Sequence, residues 1–394
     1  MNPIDFLLLH DDPQAGQWLA GLLTPNVSIE VIPWREGWSI TTRAAIYKKG
    51  PDLTVVGGTA AADFAGMEAL RPFTRNEVDL LGGAKAFLPI AWRMAYQDDP
   101  SEIWSIPWFC GTYVIYYWRD MLEEAGLDET TAFDTPEHLE KTLDHLQVRG
   151  QSGPWSVPTR YSLASLHCLA SWIWGLGGDF ISRDGKQLLF DHPEALEAFK
   201  RYFHLFRYIH PASRASKQDA RQLLAKREVA VSIGSSGWLG EIERQKNADT
   251  GHLSKLGVAL PPGLAYIGSN NLVIFQYSRY PEDAFKVIQT LVDRKVQQLM
   301  SENPLFGQLP VLAELLTKPP FTTNPHYQVL NQALQTGRTY PFVRMWGMVE
   351  TRLSELLSRV EAVVLADPET DLETLIPPMV KAIADRLRTI LDLE

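Results

Sequence analysis

Near its N-terminus the chain carries short apolar runs of strand length, separated by stretches with helical spacing. IDFLLL (4–9), VSIEVIP (27–33) and PDLTVVGG (51–58) are the apolar runs. Between them lie PQAGQWLAGLL (13–23), with a proline at its first turn, and a helical stretch from Ile40 to Tyr47. This β-α-β-α-β order predicts a parallel sheet covered by helices. Ligands of such sheets lie beyond the carboxyl ends of the strands, so the residues just after each strand are the first candidates. They are His10-Asp11-Asp12, Trp34-Arg35-Glu36 and Gly58-Thr59.

Further along, IPWFCGTYVIYYWRDMLEEAGL (106–127) places two large aromatics and a glycine before an apolar strand, 112–118. A helix, 119–126, follows directly and ends at Gly126. Thr135-Pro136 opens the next helix as cap and first-turn proline. Ser162 to Trp174 is an apolar helix closed by GLGG, and Asp184-Gly185 marks a hairpin. Helices are predicted over 193–208, 216–227 and 281–292, with a strand at 228–234 and a strand-loop-strand over 256–275. Two helices close the chain, roughly 345–364 and 371–392; the first carries Met345, Met348, Val349, Leu353, Leu356, Leu357 and Val360 on one stripe.

The length, 394 residues, and a hydrophobic share of 45% exceed what one ordinary core organises, so two lobes are expected. The formal charge is −10 and no basic stripe stands out, which argues against nucleic acid as a partner. No apolar run reaches membrane-spanning length. The opening MNPIDFLLLHDD lacks the basic start of an export signal and is expected to be a strand. Cys110 and Cys168 have no metal or redox spacing and are expected to be free buried thiols.

Motifs for catalysis fail. IGSSGW (233–238) has Trp238 where a nucleophile elbow needs glycine. There is no HExxH and no phosphate loop, and GLGGDF (175–180) ends a helix instead of opening one. The histidines form no ligand-spaced set. No catalytic residue, metal or cofactor is expected.

What the chain does have is 12 tryptophans, several at predicted strand ends or helix starts: Trp34, Trp38, Trp108, Trp155, Trp238 and Trp346. An indole offers a flat apolar face with a polar N–H at its edge, and planar polar side chains bond hydroxyls directionally. Together these suit a sugar ring.

Six segments in order resemble the solute-binding proteins of the maltose-binding type, the sugar receptors of ABC importers. They are GPDLTVVGGTAAADFAGMEALRPF (50–73), IWSIPWFCGTYVIYYWRDMLEEAGLD (103–128), GLGGDFISRDGKQLLFDHPEALEAFKRY (175–202), LLAKREVAVSIGSSGW (223–238), LGVALPPG (256–263) and GSNNLVIF (268–275). In the second, Trp118 stands where the family usually has asparagine.

The resemblance implies a two-lobe α/β periplasmic-binding-protein fold of type II. Each lobe is a mostly parallel sheet flanked by helices, with a ligand cleft at the hinge. The expected lobes are 1–111 with 268–312, and 112–267 with 313–394. Segment 108–113 becomes the first crossing, with Gly111 supplying backbone freedom; the second lies near 262–268, the third within 304–325. The implied ligand contacts are Trp34, Glu36, Thr59, Asp63, Trp108, Tyr161, Trp174, Trp238, Asn270, Arg344 and Trp346. Trp108, Trp238 and Trp346 are expected to converge on one shared gap, and finding them scattered and buried away from any common space would overturn the receptor reading.

The implied function is capture of a mono- or oligosaccharide by hinge closure and delivery to ABC permease subunits, outside the cytoplasm, as a monomer and without catalysis. The absent export signal leaves a cytoplasmic protein open. A sensory subunit of the same fold, or a binder of a phosphorylated or acidic solute, are the alternatives.

Overall fold

The computed structural model describes residues 2–96, 99–159, 162–211, 219–244, 253–303 and 305–391. Three parallel strands form first, as the apolar runs predict: β1 (Ile4–Leu9), β2 (Val27–Ile32) and β3 (Leu53–Gly57), with β1 in the middle. β2 is the edge strand, and its residues alternate between more and less exposed. In β1 only Asp5 is exposed, because helices cover both faces of a central parallel strand.

The strand expected at 112–118 is longer. β4 runs from Ile106 to Trp118 and belongs to two sheets. Its first half, up to Thr112, pairs antiparallel with β8 (Ile267–Ile274), which in turn pairs with β3. From Tyr113 onward it pairs with β6 (Val231–Ser235) on one side and β7 (Leu256–Ala259) on the other. A short strand β5 (Trp155–Ser156) lies parallel to β6, and β9 (Leu309–Pro310) pairs with β4 at Phe109 and Cys110. Parallel pairing therefore dominates around β1, while the pairs made by the crossing strand are antiparallel. The change of partner at Thr112/Tyr113 falls beside Gly111, opposite Gly268.

Helix signals translate closely. Gly126 has φ +76 and ends helix Arg119–Ala125, and Thr135 Oγ1 accepts the His138 N–H at 3.1 Å. The helix expected at 40–47 starts earlier, at Trp34, and ends with Lys48 in the left-handed conformation. That at 216–227 is Ala220–Ala225, its first expected residues falling outside the described ones.

Helices Ser162–Gly175, Pro193–His204, Trp346–Ala366 and Leu372–Leu391 pack together over the second sheet. The predicted stripe of Trp346–Ala366 is buried at Val349, Leu353, Leu356, Leu357 and Val360. The start of this helix also touches helix Ala60–Gly66, which follows β3. Trp118 lies in the core, donating from Nε1 to the Leu224 carbonyl at 3.0 Å, with the Arg227 guanidinium over its ring.

Candidate functional site between the lobes

The strand ends behave as the β-α-β pattern requires, but their side chains divide into caps and contacts. Asp11 Oδ1 accepts the Trp34 N–H at 3.2 Å and so caps helix Trp34–Tyr47. His10 Nδ1 accepts the Asp12 N–H at 3.0 Å. Trp34 is half-buried against the first core, and Glu36 points to the surface, where it pairs with Arg35. Neither stands in a loop facing a ligand, because the helix begins sooner than its apolar spacing suggests. Trp38, one turn later, is the residue of this helix that reaches the space between the lobes.

Thr59 sits half-buried at the N-cap position of helix Ala60–Gly66, and Asp63 lies in its first turn. Across the gap, the backbone before helix Trp346–Ala366 passes through a left-handed residue, Met345, with φ +75. This turn aims the Met345 N–H at Asp63 Oδ1, at 3.2 Å. Gly347 follows, and a Cβ there would collide with Asp63 Oδ2. Arg344 is exposed and packs along Gly66. Thus Asp63 and Arg344, separated by 281 positions in the chain, come together at one mouth of the cleft.

A cavity of about 440 Å³ opens here, bounded on one side by Trp38, Asp63, Gly66 and Met67 and on the other by Arg344 to Met345, Gly347, Met348, Thr351, Arg352 and Glu355. Its size is within the range of small-molecule sites, about 300–1,000 Å³. Burial pushes the Asp63 carboxyl up to about 6, against the opposing pull of the Met345 and Gly347 N–H groups and Arg344. Glu350, one turn into the facing helix, is pushed up to about 7 by burial, opposed by its bond from Trp346 Nε1 and reinforced by the charge of Asp63.

Several expected contacts are corrected by burial. Trp108 is 2% exposed and packs edge-on to Phe6 and Phe306 and beside Phe109 in the first core, not at the cleft floor. Trp346 is fully buried, stacked on Tyr340 with centroids 4.3 Å apart. Trp174 is locked by a bond from Nε1 to Asp179 and by Arg338 over its ring. Trp238 is half-buried on Tyr116 and lies directly over Gly234. The three tryptophans expected to share a gap make no ring contact with one another, so that support for a sugar site is lost. A large apolar ring at a strand end is as readily drawn into the core as offered to a ligand. Asn270 is half-buried on β8 opposite Gly57; its neighbour Asn271 points the other way into a buried network with Ser105 and the Met94 carbonyl. Tyr161 lies outside the described residues.

An aromatic column that the sequence did not announce packs with the core of the second sheet. His167 stacks on Tyr266 at 4.0 Å and 5°, Tyr266 meets Tyr340 at 4.8 Å, and Tyr340 carries Trp346; Tyr113 of β4 tilts against His167. Burial holds His167 neutral, its pKa lowered to about 3. These residues come from four distant segments, and no local pattern joins them. Cys110 and Cys168 are free and buried. Among the described residues no cluster of acidic, histidine and cysteine side chains could hold a metal.

The family model of the bacterial extracellular solute-binding proteins matches residues 23–329. No curated protein sequence matches. Solved structures share the fold at low identity. A solute-binding protein of Thermotoga lettingae, bound with α-D-tagatose, superposes with TM-score 0.80 at 20% identity, covering 99% of this chain and 100% of its own. MalE3 of T. maritima, with maltose bound, gives TM-score 0.80 at 21% identity, over 99% of this chain and 100% of its own. The GacH receptor of Streptomyces glaucescens, an acarbose complex among its structures, gives TM-score 0.80 at 18% identity, over 99% and 98%.

Proposed function

Because the chain belongs to the bacterial extracellular solute-binding proteins, we propose that it captures a carbohydrate, a mono- or oligosaccharide, between its lobes and hands it to the permease of an ABC importer. In this reading it binds without turnover, acts as a monomer and works outside the cytoplasm. The lobes are 1–111 with 268–312, and 112–267 with 313–394, turning about the crossing strands near Gly111.

The observation that supports the reading is the cavity lined by Trp38 and helix Ala60–Gly66 on one side and by Arg344 and helix Trp346–Ala366 on the other. Asp63 and Arg344 face it from opposite lobes, and a carboxylate and a guanidinium bond hydroxyl pairs in fixed directions. A ligand touching both is held only when the lobes are closed, so binding shifts the open-closed balance toward closure. Thermal-shift measurements against tagatose, maltose, laminaribiose and mannitol test the class. A rise in the melting temperature with at least one of them is expected. Stabilisation by a peptide, polyamine or metal, with none from any sugar, would overturn it.

The exposed guanidinium of Arg344 beside Arg352 favours one second reading, a solute bearing a carboxylate or phosphate. Arg344→Lys would then weaken an acidic sugar and leave a neutral one untouched.

A further inference from the structure

We propose that the pole of the first sheet at which β1 and β3 begin is a docking surface for an anionic lipid bilayer. Two turns meet there, the one leading from helix Trp34–Tyr47 into β3 and the one following β8. β3 and β8 are antiparallel neighbours with Leu53 opposite Ile274, so the start of one lies beside the end of the other. The turns are tied together. The Phe275 N–H donates to the Asp52 carbonyl at 3.0 Å, Ser278 Oγ donates to Asp52 Oδ1 at 2.6 Å, and a Cβ on Gly50 would stand 3.1 Å from Tyr277 Oη.

Residues 43–52 and 275–280 carry four cations, Arg43, Lys48, Lys49 and Arg279, against one acid, Asp52. All four cations are exposed, and none has an ion pair among the described residues. The Asp52 carboxylate is already engaged by Ser278 and by the Asp5 N–H at 3.1 Å. The chain as a whole has a formal charge of −10, so this pole is a local reversal of sign. It forms no basic stripe in the sequence because its cations come from two distant segments. At about 0.1 M salt, charges beyond about 10 Å are screened, so a surface against these turns meets the patch and not the net charge.

Apolar side chains stand among the cations. Tyr47 is 74% exposed and Ile46 63%, and Tyr280 is exposed beside them in the second turn. Half-buried Tyr277 stacks on Phe275 with centroids 5.1 Å apart and anchors that turn on the core. Tyrosine rings settle at the boundary between headgroups and acyl chains, while lysine and arginine meet the phosphates, so the mixture suits a bilayer surface. An acidic protein would answer the cations but leaves the protruding tyrosine and isoleucine without a role. None of these residues lines the cavity of the candidate site. Docked this way, the carboxyl ends of β1 and β3 point away from the bilayer, so membrane attachment and ligand capture use opposite poles.

The test is flotation of the full chain with vesicles at about 0.1 M salt. The protein should float with mixed phosphatidylglycerol and phosphatidylcholine vesicles and not with pure phosphatidylcholine, and about 0.5 M salt should release it. Lys49→Glu combined with Arg279→Glu should cut the bound fraction about tenfold, and Tyr47→Ser about two- to fivefold, each variant melting as the unaltered protein does. Lys141→Glu combined with Lys381→Glu, the same change of charge at exposed positions on other helices, should leave binding as it was. The proposal is overturned by no flotation with the anionic vesicles, by equal flotation with both kinds, or by equal loss in the two paired variants. Capture by poly-glutamate with none by vesicles would also overturn it, in favour of an acidic protein partner.

Discussion

The backbone N–H of Met345 donates to Asp63 Oδ1 at 3.2 Å, and this bond joins helix Ala60–Gly66 to the turn before helix Trp346–Ala366. It places a carboxylate in a setting that withholds water. The folded form therefore holds a proton on Asp63 up to about pH 6, against an ordinary value of 3.8. A raised carboxyl pKa favours the folded form at low pH; that advantage fades as pH rises from about 4 through 6.

Asp63→Asn removes this titration while keeping an acceptor for Met345. Between about pH 5 and pH 8 the melting temperature of the variant should fall less than that of the unaltered protein. Parallel curves would show that the lobes do not bury Asp63 in solution. Burial is the main cause that raises Glu350; the same substitution removes the Asp63 charge that adds to it, so the Glu350 carboxyl, at about 7, should move down in a carbon-detected NMR titration.

Two glycines allow close approaches between segments far apart in the chain. At Gly347 a Cβ would strike Asp63, and at Gly307, with φ +54, a Cβ would meet the Gly237 backbone at 2.9 Å from its oxygen. Gly347→Ala should hold the lobes apart, seen as a larger radius of gyration by small-angle scattering with an unchanged melting temperature. Gly307→Ala adds a left-handed strain of about 1–3 kcal/mol and should lower stability as well.

Trp108 and Trp346 are core residues. Truncating either to alanine should cost about 3–5 kcal/mol in denaturant unfolding. Trp346→Phe, at milder cost, should leave sugar affinity unchanged; a selective loss of affinity without loss of stability would return Trp346 to the cleft.

The thiols offer a further check. Burial pushes Cys110 up to about 12, and Cys168 moves the same way for the same reason. Neither should react with a thiol reagent at neutral pH in the folded protein, and both should react in denaturant. Reaction of either in the folded state would contradict its burial.

Local pattern settled much of this protein. Short apolar runs of strand length and capping residues such as Thr135, Pro136 and Gly126 marked strands and helix ends, because those preferences act over a few neighbouring residues. The order of segments was enough to suggest two lobes and a crossing near Gly111. Tertiary structure decided which side chains meet: Asp63 with Met345, His167 with Tyr266, Trp38 with the gap in place of Trp108 or Trp346. A tryptophan looks the same in sequence whether its ring turns to the core or to the cleft. The choice depends on how distant helices and strands pack around it, and no local spacing carries that information.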